Sequence, residues 1–316
     1  MYTLEEIRRG IRRPREAVTE INALYNRLTK GVDYNPEGID VFSEDWDILI
    51  ILDACRYDMF EDVADLSGRL ERRVSRGGGT VEFLRGNVRD RTLYDTVYVT
   101  ANPQYYHHQD ELNTEFHDVW NLWQREWDDD LHTVHPESVL HAAREAAEIY
   151  PHKRLVIHYN QPHTPYIGSY GKELGIGSLG KDLPFLESLR MDLFHNGVSR
   201  EEYRRAYREN LELVLPYVEP LLDECTGKTV VTSDHGEMLG ERVAPIPIRY
   251  YSHRIGVHVS ELVHVPWLVQ ETGERREITI GSENRERSAE GTAKWHEEEA
   301  SDSVVEERLR DLGYAE

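Results

Sequence analysis

Residues 230–241 read Val-Val-Thr-Ser-Asp-His-Gly-Glu-Met-Leu-Gly-Glu. The β-branched start is typical of the end of a buried strand. Asp234 and His235 follow where the apolar run stops, and Gly236 and Gly240 allow the backbone to turn sharply. In open α/β sheets ligands bind at this edge, and an Asp oxygen with a His nitrogen suits a divalent metal. By itself, the stretch is equally compatible with a polar surface turn.

A second strand end carries another carboxylate. Residues 46–52 read Trp-Asp-Ile-Leu-Ile-Ile-Leu, a continuous apolar run expected for a parallel sheet that is covered on both faces. Asp53 comes directly after it, in the same kind of place as Asp234. The alternative role for Asp53 is a helix N-cap. Further strands are predicted at 95–102, 154–159, 229–232 and 262–269, and helices at 137–150, from 199 to about 218 and at 306–314.

A glycine block precedes a helical-looking segment. Gly-Gly-Gly-Thr at 77–80 reads as a loop that opens a helix, and such an N-terminus offers free amides and a positive dipole end to an anion. Thr80 is therefore placed where a phosphate or sulfate would sit, although an ordinary N-cap has the same local signal. Ser75 is the weaker alternative nucleophile.

A histidine lies in a proline-rich loop after another predicted strand. Residues 160–166 read Asn-Gln-Pro-His-Thr-Pro-Tyr, and the two prolines stiffen the backbone around His163. His163 is thus suited to bind a ligand or to stabilise charge. His158, inside the strand, is equally compatible with the core. The region 103–136 is predicted to be an irregular insertion with helical parts, and residues 168–186 a glycine-rich loop.

The composition limits the classes of partner. The chain has 316 residues, is 39% hydrophobic and carries a net charge of −22, which opposes nucleic-acid binding. Its basic residues are nearly all arginine, and a carboxylate-rich, lysine-poor surface fits a protein kept soluble in high salt. Cys55 and Cys225 are too few for a disulfide framework or a zinc knuckle and are predicted to be small core residues. The sequence has no apolar run near the ~18 residues of a membrane span and no apolar signal core, so we expect a cytoplasmic protein.

The informative segments together resemble the sulfatase-like branch of the alkaline phosphatase superfamily. The resemblance rests on Asp53, Thr80, His163 and the stretch from 232 to 241, in that order and spacing. The ending Arg-Leu-Arg-Asp-Leu-Gly-Tyr at 308–314 is similar to the tail of many sulfatase-type chains. The resemblance implies a three-layer α/β/α sandwich with a mostly parallel central sheet, and a site above the strand ends.

The resemblance also implies three sets of site residues. Thr80 would be the nucleophile, and His163 would assist catalysis. The residues implied to bind one divalent cation, which could be Zn, Mn or Ca, are Asp53, Thr80, Asp234 and His235. Those implied to hold a second metal or the substrate are His163, His253 and Arg56.

Two departures from the family pattern bear on the substrate. True sulfatases carry a Cys-x-Pro-x-Arg motif whose cysteine is oxidised, and this chain has none; Asp53 is also followed by Ala54 where sulfatases have a second Asp. The expected activity is therefore that of a metal-dependent hydrolase or transferase on phosphate or sulfate esters of small molecules or glycans, nearer the Thr-dependent phosphodiesterases, phosphomutases and phosphoglycerol transferases. The alternative is a non-catalytic scaffold that binds a metal or an anionic sugar.

We expect three segments along the chain. Residues 1–44 are predicted to be a helical N-terminal segment, with Thr3 as an N-cap. Residues 45–270 form the sulfatase-like catalytic domain. Residues 271–316 are polar and partly flexible, and end in a short helix.

Overall fold

A computed structural model describes residues 33–175, 198–246, 248–281 and 300–314, together with Leu24 and Trp295. The helix predicted at Thr3 lies outside the described residues, as do the second half of the predicted 168–186 loop and most of 282–299. Within the described part, no helix is long and apolar enough to cross a bilayer.

Eleven strands are found among the described residues. In chain order they are β1 (Ile48–Leu52), β2 (Arg69–Val74), β3 (Thr92–Thr100), β4 (Glu115–Asn121), β5 (Trp127–Asp128), β6 (Thr133–Val134), β7 (Arg154–Tyr159), β8 (Gly227–Thr232), β9 (Met238–Val243), β10 (Ile248–Ser252) and β11 (His264–Thr272). Seven of them form one sheet in the order β2-β11-β8-β1-β7-β3-β4. β1 pairs parallel with β7 and β8, while β11 runs antiparallel to β8 and β2. The β5–β6 and β9–β10 pairs are separate and antiparallel.

Nine α-helices connect these strands in the described chain. They are α1 (Tyr57–Val63), α2 (Thr80–Asn87), α3 (Gln104–His107), α4 (Gln109–Leu112), α5 (Pro136–Ile149), α6 (Ser169–Leu174), α7 (Arg200–Glu224), α8 (Ser260–Val263) and α9 (Asp302–Asp311). α7 begins with the capping box predicted at Ser199: Glu202 N donates to Ser199 Oγ at 3.2 Å, and Ser199 N donates to Glu202 Oε2 at 2.7 Å.

The alternation of side chains along β1 creates three layers. Ile48, Ile50 and Leu52 point to a core shared with α1, α5, α7 and α9. Leu49 and Ile51 point to the opposite core, shared with α2, α3 and α4. All five side chains are fully buried, and burying each contributes roughly 1.5–3 kcal/mol to the stability of the fold. The predicted α/β/α sandwich with a mostly parallel sheet is confirmed.

Several local expectations were wrong. The predicted irregular insertion contains β4, a strand of the main sheet, and the predicted 168–186 loop begins with helix α6. β4 lies at the sheet edge, so it needs apolar side chains on fewer positions than a central strand.

The turn predicted after His235 leads directly into the β9–β10 hairpin. Cys55 and Cys225 are buried free thiols, as expected.

Candidate active site

The carboxyl ends of β1 and β8 place two carboxylates together. The two strands pair in parallel with Ile51 opposite Thr232, so the residues that follow them leave the same edge of the sheet. One potential ligand atom from each of Asp53, Asp234 and His235 lies within 4.8 Å of the others. The Thr80 hydroxyl lies 3.3 Å from His235 Nε2. These four residues, called the primary cluster below, come from three distant parts of the chain.

Asp53 uses one carboxylate oxygen for the protein and leaves the other unpaired. Its Oδ2 accepts hydrogen bonds from Asn102 Nδ2 at 2.6 Å and from the Tyr314 hydroxyl at 2.7 Å. Its Oδ1 has no hydrogen-bond partner among the described residues and lies 3.4 Å from His235 Nε2. The side chain is buried, and a buried unpaired carboxylate oxygen costs free energy unless a cation or a donor satisfies it.

Asp234 shows the same division. Its Oδ1 accepts hydrogen bonds from the amides of Ala54 at 3.1 Å and His235 at 2.9 Å. Its Oδ2 has no hydrogen-bond partner in the described chain and lies 3.4 Å from His235 Nε2. Ser233 Oγ joins the two strand ends by donating to Leu52 O at 2.6 Å. The segments after β1 and β8 are therefore fixed to each other, with one oxygen of each carboxylate turned to the same point.

The orientation of the His235 ring suits a metal ligand. Its Nδ1 lies 2.7 Å from the carbonyl oxygen of Gly236, a contact that assigns the Nδ1 proton and leaves Nε2 facing the carboxylates. Burial opposes a charge on this ring, but the carboxylates of Asp234 and Asp53 outweigh it and raise the pKa of His235 to about 10. Two unpaired carboxylate oxygens, an imidazole nitrogen and a hydroxyl thus converge in a buried place that favours a positive charge. This donor set fits a divalent cation.

The structure excludes the capping alternatives for Thr80 and Asp53. α2 begins at Thr80, and its N-cap is Gly79. α1 has Arg56 as its N-cap, so Asp53 is not the cap of the helix that follows it. Ser75 is committed to structure, because its hydroxyl donates to the Asp234 carbonyl and accepts from the Gly77 amide at 3.0 Å.

The glycine loop offers fewer free amides than the sequence suggested. The Gly77 amide is bonded to Ser75 Oγ, and the Gly78 amide donates to Glu82 Oε2 at 2.8 Å. Glu82 Oε1 also accepts from the Gly256 amide at 2.7 Å. The expectation that these amides would meet a substrate anion is wrong for Gly77 and Gly78, because both amides already donate to acceptors within the protein. The glycines instead give space: a Cβ at Gly78 would lie 2.3 Å from the carbonyl oxygen of Val257.

A second group of ligand-type side chains adjoins the primary cluster. Potential ligand atoms of His163, Glu237 and His253, called the second cluster below, also lie within 4.8 Å of one another. The ring centres of His253 and His235 are 4.2 Å apart, so the two clusters are neighbours. Burial raises the pKa of Glu237 to about 7 and lowers that of His253 to about 3. Two neutral imidazoles beside a carboxyl group can hold a second cation or hydrogen-bond an ester oxygen.

The backbone fixes His163 in this cluster. Its amide donates to the Asp53 carbonyl at 3.1 Å. Its Nδ1 lies 2.6 Å from the Thr164 carbonyl oxygen, which turns Nε2 away from that backbone group. Asn210 of α7 donates to the His163 carbonyl at 2.9 Å and holds the loop against the helix.

Arg56 and His158 lie beside the clusters. The Arg56 guanidinium donates to Asp58 at 2.7 Å, to Glu241 at 2.9 Å and to the Glu237 carbonyl at 3.1 Å, so it supports Glu237 from behind. His158 is buried in β7; its Nδ1 lies 2.7 Å from the Tyr98 hydroxyl and its Nε2 3.9 Å from Asp234 Oδ2.

Three residues of the site were not singled out from the sequence: Asn102, Glu237 and Tyr314. Glu237 stands two residues after His235, inside the stretch that was recognised as a turn. Asn102 ends the strand predicted at 95–102, and Tyr314 ends the tail motif. Strand-end position was therefore an available signal for Asn102, but the partners of Glu237 and Tyr314 are set by tertiary contacts.

Comparison with known proteins gives structural neighbours only. No protein-family model and no curated protein matches the sequence. The chain is similar to the C-terminal periplasmic domain of phosphoethanolamine transferase EptC from Campylobacter jejuni, with 14% identity, 84% of this chain and 87% of that chain covered, and a TM-score of 0.42. It is similar to the corresponding Escherichia coli EptC domain in complex with Zn, with 14% identity, 75% and 77% covered, and a TM-score of 0.43. It is also similar to the phosphonate monoester hydrolase SpPMH from Silicibacter pomeroyi, with 13% identity, 85% and 73% covered, and a TM-score of 0.40. At these TM-scores we base the assignment of function on the side chains of the two clusters.

Proposed function

We propose that this protein is a metal-dependent hydrolase or transferase of phosphate or sulfate esters, related to the sulfatase-like branch of the alkaline phosphatase superfamily. The observation that carries the proposal is the convergence of a buried hydroxyl, two half-paired carboxylates and an imidazole nitrogen at one sheet edge. Asp53 Oδ1 and Asp234 Oδ2 have no hydrogen-bond partner among the described residues, and both lie 3.4 Å from His235 Nε2, where a cation would satisfy all three atoms. Asp53, Thr80, Asp234 and His235 are the residues that would hold the cation.

Thr80 carries the covalent step in this proposal. A divalent cation bound to the primary cluster would lower the pKa of the Thr80 hydroxyl and neutralise charge that develops on the ester. The Thr80 hydroxyl gives up its proton as Oγ1 forms a bond to phosphorus or sulfur; the bond to the ester oxygen breaks, and the leaving alkoxide takes up a proton to become the alcohol. Water then accepts the group in a hydrolase, or a second alcohol accepts it in a transferase, and the Thr80 hydroxyl is restored.

The second cluster is proposed to bind the ester. His163 and His253 present imidazoles beside the primary cluster, and Glu237 adds a carboxyl group. These side chains would either hold a second cation or hydrogen-bond the non-reacting oxygens of the substrate.

A substrate panel tests this proposal. Purified protein is assayed with p-nitrophenyl phosphate, bis-p-nitrophenyl phosphate and p-nitrophenyl sulfate, each with Zn²⁺, Mn²⁺ or Ca²⁺. We expect turnover of at least one ester, its loss after chelation and its return when the metal is restored. Asp234→Asn should abolish the activity, whereas Asp62→Asn, which changes an exposed carboxylate of α1 that pairs with Arg208 on the surface, should keep it. Metal binding without turnover of any ester would favour the non-catalytic scaffold, and absence of both would reject the proposal.

A further inference from the structure

The last described residues of the chain enter the candidate active site. α9 ends at Asp311, and Gly313 adopts a left-handed conformation with φ of 82°. The Tyr314 amide donates to Leu309 O at 2.8 Å, and the Gly313 amide donates to Arg310 O at 2.9 Å. This pattern reverses the chain at the end of the helix and directs Tyr314 towards the sheet edge.

α9 itself is firmly attached to the domain. Val305 and Leu309 are buried in the core below the sheet. Arg308 pairs with Asp129 at 3.2 Å, and its guanidinium lies 4.7 Å from the ring centre of Trp127. The helix therefore docks against both the core and the segment around β5.

Tyr314 contacts both clusters at once. Its hydroxyl donates to Asp53 Oδ2 at 2.7 Å and lies 3.2 Å from Thr80 Oγ1. Its ring is parallel to that of His163, with 4.8 Å between ring centres and an angle of 11° between planes. Three site residues that are far apart in the sequence are thus held by one side chain.

The bond to Asp53 decides which oxygen that carboxylate presents. Tyr314 and Asn102 together occupy Oδ2, and Oδ1 is left turned towards His235 Nε2. Without the phenol hydroxyl, Oδ2 would keep a single donor and the carboxylate could rotate. Groups that orient a metal ligand in this way are worth about 10–100-fold in metal affinity.

We propose that Tyr314 is a positioning residue of the primary cluster, which fixes the Asp53 carboxylate for a divalent cation when α9 is docked. This inference rests on the proposed function, since it presumes that the primary cluster binds a cation. It adds the C-terminal helix to the parts of the chain that build the site.

Metal affinity tests the inference without an activity assay. Full-length wild type, Tyr314→Phe and Tyr57→Phe are titrated with Mn²⁺ by electron paramagnetic resonance, and with Zn²⁺ by competition against a chromogenic chelator. Tyr314→Phe keeps the ring on His163 but removes the donor, so we expect about 10-fold weaker binding with little change in melting temperature. Tyr57 is the matched control, because its hydroxyl donates to Glu61 at 2.7 Å on the surface, and its variant should bind like wild type.

A second variant tests whether the docking of α9 matters for the primary cluster. Leu309→Ala loosens α9 but leaves every polar group of the primary cluster in place, and it should also weaken binding. Unchanged affinity in a folded Tyr314→Phe would overturn the inference and leave the proposed function standing. Tighter binding would mean that Tyr314 obstructs the site, which also overturns it. If the wild type bound neither metal, the proposed function itself would fail first.

Discussion

At the scale of single residues, His235 explains why the primary cluster needs a positive charge. Its Nε2 is 3.4 Å from one oxygen of Asp53 and 3.4 Å from one of Asp234, and 3.3 Å from the Thr80 hydroxyl. Because Nδ1 already faces the Gly236 carbonyl, a neutral ring would aim a lone pair at two carboxylates. Either a proton or a metal cation on Nε2 removes that repulsion, and both would compete for the same place.

The role of Thr80 can be separated from a role in folding by two substitutions. Thr80→Ser keeps the hydroxyl and loses a methyl group, so it should retain much of the ester turnover. Thr80→Ala removes the nucleophile and a cation ligand and should reduce kcat/KM by at least ~100-fold. Initial rates with the best ester of the panel give both values, and acid-quenched samples of wild type and Thr80→Ser should carry one extra phosphoryl or sulfuryl group by intact mass.

Thr92→Ala, at the exposed start of β3, is the control for a lost threonine side chain and should behave like wild type. Turnover near the wild-type level in Thr80→Ala would show that Thr80 is not the nucleophile. Water activated at the primary cluster would then be the candidate, because the structure commits Ser75 to the Asp234 carbonyl.

At the scale of elements, a surface ion cluster joins α2 to α4. Glu111 of α4 accepts from Arg85 at 2.6 Å and from Arg89 at 2.9 Å. The hydrogen bonds from Arg85, the largest influence, lower the pKa of Glu111 from 4.5 to about 2. A carboxyl group whose pKa falls on folding stabilises the native state at any pH above its pKa in the unfolded chain. That stabilisation is lost as the pH drops through its pKa in the folded protein.

We therefore expect Glu111→Gln to destabilise the protein at neutral pH but not near pH 2. The difference in melting temperature between variant and wild type should shrink as the pH is lowered from about 5 towards 2. Thermal melts at fixed ionic strength across that range measure it. Glu148→Gln, on the exposed side of α5, is the control; a difference between Glu111→Gln and wild type that does not vary with pH would contradict the expectation.

The central elements could be predicted because the residues that they bury or that cap them form recognisable patterns over a few neighbouring positions. β1 is a continuous apolar run, β8 contains the β-branched pair Val230 and Val231, and the capping box at Ser199 marks the start of α7. β2 reads Arg-Leu-Glu-Arg-Arg-Val and was not predicted. As an edge strand it leaves its charged side chains partly exposed, so the sequence shows no apolar run. Whether this segment forms a strand depends on its pairing with β11, which comes much later in the sequence.

At the scale of the whole molecule, the charge predicts a response to salt. A net charge of −22 produces self-repulsion in the compact state. Screening shortens the Debye length to about 3 Å at 1 M salt, so we expect the melting temperature to rise as KCl goes from dilute to molar. A flat or falling series would remove the case for adaptation to high salt. Melts in sucrose at the same osmolality are the control, because sucrose is excluded from the protein surface but does not screen its charges. A rise in melting temperature with KCl but not with sucrose would identify screening as the cause.

The residues of the site that follow predicted strands could be found from the sequence. The residues that reach the site through tertiary contacts could not. Asp53 and Asp234 follow apolar runs, and parallel strands bring such residues to one edge. The contribution of Tyr314 requires a docked helix and a chain reversal at Gly313, which no local pattern places over β1. The expected anion-binding amides of the glycine loop failed for a local reason, since Gly77 donates to the Ser75 hydroxyl and Gly78 to the Glu82 side chain, which lie two and four residues away in the sequence.

The spread of the primary cluster along the chain has a thermodynamic consequence. Asp53, Thr80 and Asp234 are brought together only by the finished sheet, so an unfolded chain offers no comparable set of ligands. A cation that binds only the native state shifts the folding equilibrium by mass action, by about 2.7 kcal/mol when its free concentration is 100 times its Kd. Free metal concentration would then set how long the folded protein survives as well as how fast it works.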